Sequence, residues 1–63
     1  MFTVICDGRQ KALNATNHRE AARQSGLAVP GARLAVTNSK ISVSYRVCTN
    51  GRLLELARYE ARL

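Results

Sequence analysis

The apolar residues of segments 32–36 and 41–47 recur at every second position. Because the side chains of a β-strand point alternately to its two faces, this spacing predicts two strands that each bury one face. The Asn-Ser dipeptide at 38–39 separates them and favours a tight turn. A hairpin closed at these two residues places Val36 opposite Ile41 on an apolar face. The pattern therefore limits the fold to one that contains an antiparallel sheet.

A second hairpin is predicted at the start of the sequence. Residues 2–6 are β-branched, aromatic or otherwise apolar, and the Asp-Gly dipeptide at 7–8 tolerates the positive φ angles of a type I′ turn. A two-residue loop there places Phe2 opposite Leu13. The return strand, residues 9–14, alternates poorly, so we expect it at the edge of the sheet.

One short helix is predicted between the two hairpins. Asn17 is a favourable N-cap, and Glu20, three residues later, completes a capping-box pattern. The helix should run to Gln24 or Ser25, because Gly26 supplies the left-handed position that ends a helix. Two turns of helix are too short to be stable alone, so we expect this helix to pack on one face of the sheet.

Segment 52–63 fits two structures. As a strand after a turn at Asn50-Gly51, it places Leu54 and Leu56 on the apolar face of the sheet. As a helix, most of its apolar residues fall within about half of the circumference, and its Leu, Ala, Glu and Arg residues all favour helix. We favour the strand because Asn-Gly is the stronger short-range hairpin signal, and we keep a second helix as the alternative.

These elements predict one small α+β domain over residues 1–63. It consists of an antiparallel β-sheet, made of an N-terminal hairpin and a C-terminal β-meander, with one short α-helix packed on one face. A chain of this length buries only about 60% of its unfolded surface, so we expect marginal stability unless a partner adds to it. If the terminal segment is a strand at the sheet edge, pairing between two such edges would form a homodimer.

The charge of the chain is strongly basic. Ten Lys and Arg residues against four Asp and Glu give a formal net charge of +6, and eight of the ten are Arg. The planar guanidinium group pairs with phosphate or carboxylate through two hydrogen bonds, so this choice suits nucleic acid or an acidic protein surface. The longest apolar run is far below the ~18 residues that a membrane-spanning helix needs, so no membrane partner is expected.

The cysteines give an expectation about the compartment. Met1 leads directly into the apolar residues 2–5, with neither a basic region nor a long apolar stretch of the kind found in signal peptides. We therefore expect a reducing, cytoplasmic setting. In such a setting Cys6 and Cys48 serve as small apolar side chains rather than as a disulfide.

No pattern in the sequence indicates catalysis. His18 is the only histidine, and it falls in the first turn of the predicted helix, where the helix dipole disfavours a charged imidazole. Glu20 is accounted for by capping, and Glu55 by a predicted cross-strand pair with Arg46. A zinc site needs about four ligands, and two Cys and one His do not supply them. The four glycines lie too far apart in the sequence for a glycine-rich phosphate loop. We therefore expect no catalytic residue, no metal site and no cofactor.

The candidate binding residues are cationic or aromatic side chains that the predicted elements bring together. One cluster comes from the helix and a second from the outer face of the sheet, and the C-terminal segment adds one aromatic ring expected at the surface beside two arginines. Contacts from such clusters to phosphates would be salt-dependent and weakly sequence-selective. The residues are His18, Arg19 and Arg23 in the first cluster, Arg33 and Arg46 with Ser42 and Ser44 in the second, and Tyr59 beside Arg58 and Arg62 in the C-terminal segment.

The sequence therefore predicts a small non-enzymatic binding protein whose cationic surface engages a polyanion, either nucleic acid or a nucleoprotein complex. The alternative is a module that docks on a larger protein complex through Arg side chains or a sheet edge. In size and layout the chain resembles the compact accessory proteins of phages and mobile elements, including anti-CRISPR and anti-restriction inhibitors. That resemblance implies inhibition or regulation of a host protein complex, and no single residue carries it.

Overall fold

The computed structural model describes residues 1–60, which form a five-stranded antiparallel sheet and one helix. The elements in chain order are β1 (Phe2–Cys6), β2 (Arg9–Leu13), α1 (His18–Gln24), β3 (Arg33–Thr37), β4 (Ile41–Val47) and β5 (Leu53–Glu60). The strand order is β2-β1-β3-β4-β5, so β2 and β5 are the two edges. The predicted α+β class is confirmed, and residues 53–60 are a strand rather than a helix.

The N-terminal hairpin forms as predicted. Asp7 and Gly8 have φ of 48° and 79°, the two positive values that a type I′ turn requires. Phe2 lies opposite Leu13, in the expected register. β2 is exposed along most of its length, which agrees with its poor alternation and its place at the edge.

The helix begins and ends where the sequence predicts. The backbone N–H of Glu20 donates a hydrogen bond to Asn17 Oδ1 at 2.8 Å, so Asn17 is the N-cap. Ala21 and Ala22 are fully buried against β1 and β3. Their small side chains let the helix lie close to the valine-rich face of the sheet, and this packing stabilises a helix that is too short to be stable alone.

The β3–β4 hairpin is displaced by two residues from the predicted register. Val36 lies opposite Val43 rather than Ile41. The Asn38 side chain accounts for the displacement, because its Oδ1 accepts hydrogen bonds from the backbone N–H groups of Lys40 and Ile41, both at 2.8 Å. A displacement of two residues keeps every side chain on its predicted face.

The β4–β5 hairpin is displaced by one residue, which changes the side chains that are buried. The loop has three residues, 49–51, and ends in Gly51 with φ of 85°. A three-residue loop of this kind is a common alternative to the two-residue Asn-Gly turn. Leu53 therefore faces the core, whereas Leu54 and Leu56 are 52% and 47% exposed. The predicted burial of these two leucines is wrong, because a shift of one residue exchanges the faces of a strand.

β5 also contains a bulge. Glu55 lies opposite Tyr45, and Ala57 lies opposite Ser44, the neighbouring residue of β4. Leu56 is therefore one extra residue in β5. Glu55 lies on the helix side of the sheet, opposite Tyr45. The predicted pair between Glu55 and Arg46 therefore does not form.

Candidate functional site

The helix covers one face of the sheet, and no element of residues 1–60 covers the other. Residues that lie opposite each other in an antiparallel pair share a face, so the register defines three rows of side chains on the uncovered side. We call this surface, together with the bulged Leu56, the open face. Its rows are Arg33–Arg46–Leu54, Ile5–Ala35–Ser44–Ala57 and Thr3–Thr37–Ser42–Tyr59.

Two arginines face each other at one end of the open face. Arg33 on β3 is the direct cross-strand partner of Arg46 on β4, and both residues are exposed. Their Cα atoms are therefore about 5 Å apart. Like charges at opposed positions repel each other, by about 0.7 kcal/mol for unit charges ~6 Å apart in water. An anion bound between the two guanidinium groups would replace this repulsion by attraction.

None of the four acidic side chains lies on the open face. Glu55 and Glu60 lie on the helix side of β5, opposite residues of β4 that pack in or against the core. Glu20 is on α1, and Asp7 is in the turn between β1 and β2. Within residues 1–60 the two facing arginines accordingly form no ion pair. The open face is therefore uniformly basic where it is charged.

Apolar side chains occupy the open face next to the two arginines. A shallow depression of about 420 Å³ is lined by Ile5, Ala35 and Leu56 together with Arg33. Tyr59, which is 65% exposed, lies further along β5 on the same face. Single exposed apolar residues are ordinary on protein surfaces, but contiguous ones with a polar border indicate a contact surface.

The two helix arginines are held by contacts within the chain. Arg19 donates a hydrogen bond from Nη1 to the Leu53 carbonyl at 2.8 Å, and its guanidinium carbon lies 5.4 Å from the centre of the Tyr45 ring. Arg23 forms an ion pair with Glu20 at 3.6 Å. Arg19 thus joins α1 to β4 and β5, and Arg23 stays near a carboxylate of its own helix. Arg19 is thereby fixed against the sheet, whereas the Arg23 side chain stays 58% exposed and its surface ion pair holds it only weakly.

His18 is buried under the first turn of α1. Its Nε2 lies 3.1 Å from the Ile41 carbonyl, and a ring nitrogen that faces a carbonyl oxygen carries the proton and donates it. The ring also meets the Phe2 ring nearly edge-on, with centroids 4.8 Å apart. These contacts hold α1 on the sheet and give His18 a structural role.

Arg58 lies on the helix side of the sheet and pairs with Glu55. Its Nη2 donates a hydrogen bond to Glu55 Oε1 at 2.9 Å. This hydrogen bond lowers the pKa of Glu55 and raises the pKa of Arg58. Burial raises the pKa of the neighbouring Tyr45 phenol. The depression of about 280 Å³ that Arg19 and these three residues line therefore contains both signs of charge.

The structure divides the predicted binding residues between the two sides of the sheet. Arg33, Arg46 and Tyr59 lie together on the open face. Arg62 lies outside the described residues. On the helix side, each with a partner inside the chain, are His18, Arg19, Arg23 and Arg58.

Sequence reasoning missed the two leucines of the open face, Leu54 and Leu56. The only local signal for their exposure is the Thr-Asn-Gly loop at 49–51, which supports a three-residue turn as well as the two-residue turn we assumed. The turn length decides the register, and the register decides which leucine is buried.

Two further kinds of site are absent from the described part of the chain. Residues 1–60 hold no group of three His, Cys, Asp or Glu side chains arranged to bind a metal ion. Over that same range, no helix has the length and apolar character needed to cross a membrane.

Comparisons with known proteins give no information about function. No protein-family model matches the chain, and no curated protein or solved structure matches it either. The function must therefore be inferred from the geometry of its residues.

Proposed function

We propose that the protein is a non-enzymatic binding protein that holds a polyanion, nucleic acid or a nucleoprotein complex, on the open face of its sheet. The observation that carries this proposal is the cross-strand pair of Arg33 and Arg46 on a face without an acidic side chain among residues 1–60. A guanidinium group binds phosphate oxygens through two parallel hydrogen bonds, and the pair presents two such groups side by side.

The other polar groups of the open face suit a nucleic-acid backbone. The hydroxyl groups of Ser42 and Ser44 lie on the same face of β4 as Arg46, and hydroxyls commonly donate hydrogen bonds to phosphate oxygens. Tyr59 offers one exposed ring on which a base can stack. A single ring gives little discrimination between bases, so the expected binding is electrostatic and weakly sequence-selective.

We also propose a cytoplasmic location for this activity. Cys6 and Cys48 are free thiols, which suits a compartment that keeps cysteines reduced. A cytoplasmic protein with a net charge of +6 meets abundant nucleic acid, to which it is attracted before any specific contact forms.

Fluorescence anisotropy with a labelled single strand of about 20 nucleotides and a duplex of about the same length tests the proposal. Two neutralised phosphates contribute about −1.4 to the slope of log affinity against log salt on single strands. Raising the salt from ~50 to ~200 mM should therefore weaken this part of the binding by about sevenfold. The double variant Arg33→Gln/Arg46→Gln should bind more weakly, and its slope of log affinity against log salt should be shallower by about 1.4 on the single strand.

A matched control is the double variant Arg9→Gln/Lys11→Gln. It removes the same two positive charges from β2, where both side chains lie on the helix side, opposite Cys6 and Val4. We expect it to retain most of the affinity and of the slope. Equal losses in the two double variants would mean that net charge alone attracts the nucleic acid and that the open face is not the site.

The half-exposed Leu54 and Leu56 favour a second function. Neighbouring exposed apolar side chains with a polar border mark contact surfaces, and arginine is one of the residues that most often dominate interface energy. As the alternative we propose an accessory protein, of the phage or mobile-element type, that binds a host protein complex and inhibits or regulates it. Steeply salt-dependent binding to nucleic acid supports the first function. If no nucleic acid binds at low salt, the first function fails, and the alternative requires that Leu54→Ser and Leu56→Ser abolish inhibition of the target complex.

A further inference from the structure

The free edge of β5 is the longest unpaired strand edge of residues 1–60. β5 pairs with β4 on one side, and no described strand lies on its other side. It has eight residues, whereas β2, the opposite edge, has five and carries the exposed charges of Arg9 and Lys11. Such charges protect an edge against pairing. β5 exposes three charges too, those of Glu55, Arg58 and Glu60, but they are of both signs, and the strand also exposes Leu54, Leu56 and Tyr59. A long edge of this composition is a template for another strand.

The side chains of β5 point to the two faces in an order that reads the same from either end. Leu53 and Glu55 lie on the helix side, and so do Arg58 and Glu60. From residue 53 to residue 60 the order is helix, open, helix, open, open, helix, open, helix. The bulge creates this symmetry, because a regular strand of eight residues would end on opposite faces. The residues on the open side are Leu54, Leu56, Ala57 and Tyr59.

We propose that β5 pairs antiparallel with β5 of a second copy of this chain, about a two-fold axis normal to the sheet, with Leu56 of each copy opposite Ala57 of the other. Such an axis keeps every side chain on its own face, and cross-strand partners must share a face. If the axis passes between two neighbouring residues of a regular strand, these two residues become cross-strand partners although they point to opposite faces, so a regular strand cannot pair in this way. The bulged strand meets them at all eight positions.

The three inner pairs of this register also match in chemistry, and only the outermost pair, Leu53 with Glu60, joins an apolar and a charged residue. The register places Glu55 of one copy opposite Arg58 of the other, and Leu54 opposite Tyr59 of the other. The pair that Glu55 and Arg58 form within one chain, at 2.9 Å, becomes half of a network of two carboxylates and two guanidinium groups. Leu54 and Tyr59, which are 52% and 65% exposed, contact each other side by side, which leaves the outward side of the Tyr59 ring open. This local balance of charge matters because each copy carries +6.

The inference goes beyond the proposed function and does not rest on it, because it uses only the edge of β5. The axis would join two five-stranded sheets edge to edge and keep both open faces on the same side. The Arg33–Arg46 pairs of the two copies would then lie on one surface, so that a single long polyanion could contact both. Such a bivalent surface binds more tightly than either half.

The mass of the wild-type protein in solution is the first test. Size-exclusion chromatography with light scattering covers protein concentrations from about 10 μM to about 1 mM, the range in which a weak dimer dissociates by mass action. We expect the mass to rise from 6.9 kDa towards twice that value. A mass that stays at 6.9 kDa over the whole range overturns the proposal.

Charge reversal separates contacts between copies from contacts within one copy. Glu55→Arg and Arg58→Glu each place like charges throughout the network, so each variant alone should dimerise at least roughly tenfold more weakly than the wild type. In an equal mixture, the two variants face each other with Arg against Glu at both positions, while like charges remain within each chain. The mixture should therefore recover the dimer mass, and the intrachain pair cannot explain that recovery.

Arg23→Glu is the control, since it makes the same charge change at an exposed arginine that pairs with a glutamate on α1, and it should dimerise like the wild type.

Far-UV circular dichroism first checks that each variant is folded. If a charge-reversed variant fails to fold, Tyr59→Asp replaces it, because this exposed residue faces Leu54 of the second copy and its change should also weaken the dimer. Folded variants that dimerise like the wild type, or a mixture that stays monomeric, show that the register is wrong.

Discussion

Leu53 and Leu54 are neighbours of the same residue type on opposite faces of β5, so truncating each of them to alanine tests the register of the strand. Leu53 is 7% exposed and packs in the core, whereas Leu54 is 52% exposed on the open face. Replacing a buried Leu by Ala costs about 2–5 kcal/mol of unfolding free energy. Since Leu53 lies on an edge strand whose surroundings can relax, we expect Leu53→Ala to lower the unfolding free energy by about 2–3 kcal/mol. At Leu54 the removed groups already contact water, and we expect less than about 1 kcal/mol.

Urea unfolding followed by far-UV circular dichroism measures the difference. With an m value of about 1 kcal/mol/M for a small domain, Leu53→Ala should lower the midpoint by about 2–3 M and Leu54→Ala by less than about 1 M. For a domain of this size we expect a total unfolding free energy of only a few kcal/mol. The milder Leu53→Met, expected to cost less than about 1.5 kcal/mol, therefore keeps a measurable transition. A larger loss for Leu54→Ala than for Leu53→Ala would rule out this register, because β5 would then have the register of a two-residue Asn-Gly turn.

Three further predictions concern the cap, the facing arginines and the ion pair of β5. Asn17→Ala should lower the unfolding free energy by about 1 kcal/mol in thermal melts, whereas Asn17→Asp, which can still cap, should not. Arg33→Gln should stabilise the fold by roughly 0.2–1 kcal/mol at low salt, and the gain should vanish near ~1 M salt, because it removes the repulsion with Arg46. The hydrogen bond from Arg58 lowers the pKa of Glu55 in the folded protein below the ordinary 4.5. The stability that this bond contributes is therefore fully present above pH 4.5 and is lost as the pH falls through the lowered pKa of the folded protein. The melting temperatures of wild type and Arg58→Gln should therefore differ near pH ~6 and converge near pH ~3; a difference that persists at the lower pH would contradict this account.

Local chemistry made the first hairpin and the helix predictable. The positive φ angles at Asp7 and Gly8 follow from a dipeptide that tolerates them, and the Asn17 cap follows from a side chain that can accept a backbone hydrogen bond. Each of these features depends on a few consecutive residues. The face that carries Arg33 and Arg46 was also predictable, because the two-residue displacement of the β3–β4 hairpin leaves every face unchanged.

The pairing of particular residues within the candidate site could not be read from the sequence. The predicted register placed Arg33 two positions away from its actual partner, Arg46, because the Asn38 side chain selects a different turn. Arg19 looked like a free cation of the helix, but its hydrogen bond to the Leu53 carbonyl joins residues 34 positions apart. Contacts over such separations depend on how the elements pack, which no local pattern specifies.

The order of residue types is enough to specify a small antiparallel sheet with one capped helix, and to place arginines on one face of its central strands. Which leucines of β5 are buried, and where the basic surface is free of carboxylates, follow from the packing of the folded chain. The difference arises because strand side chains alternate with a period of two. One residue more or less in the loop at 49–51 therefore exchanges the buried and exposed sides of the last strand.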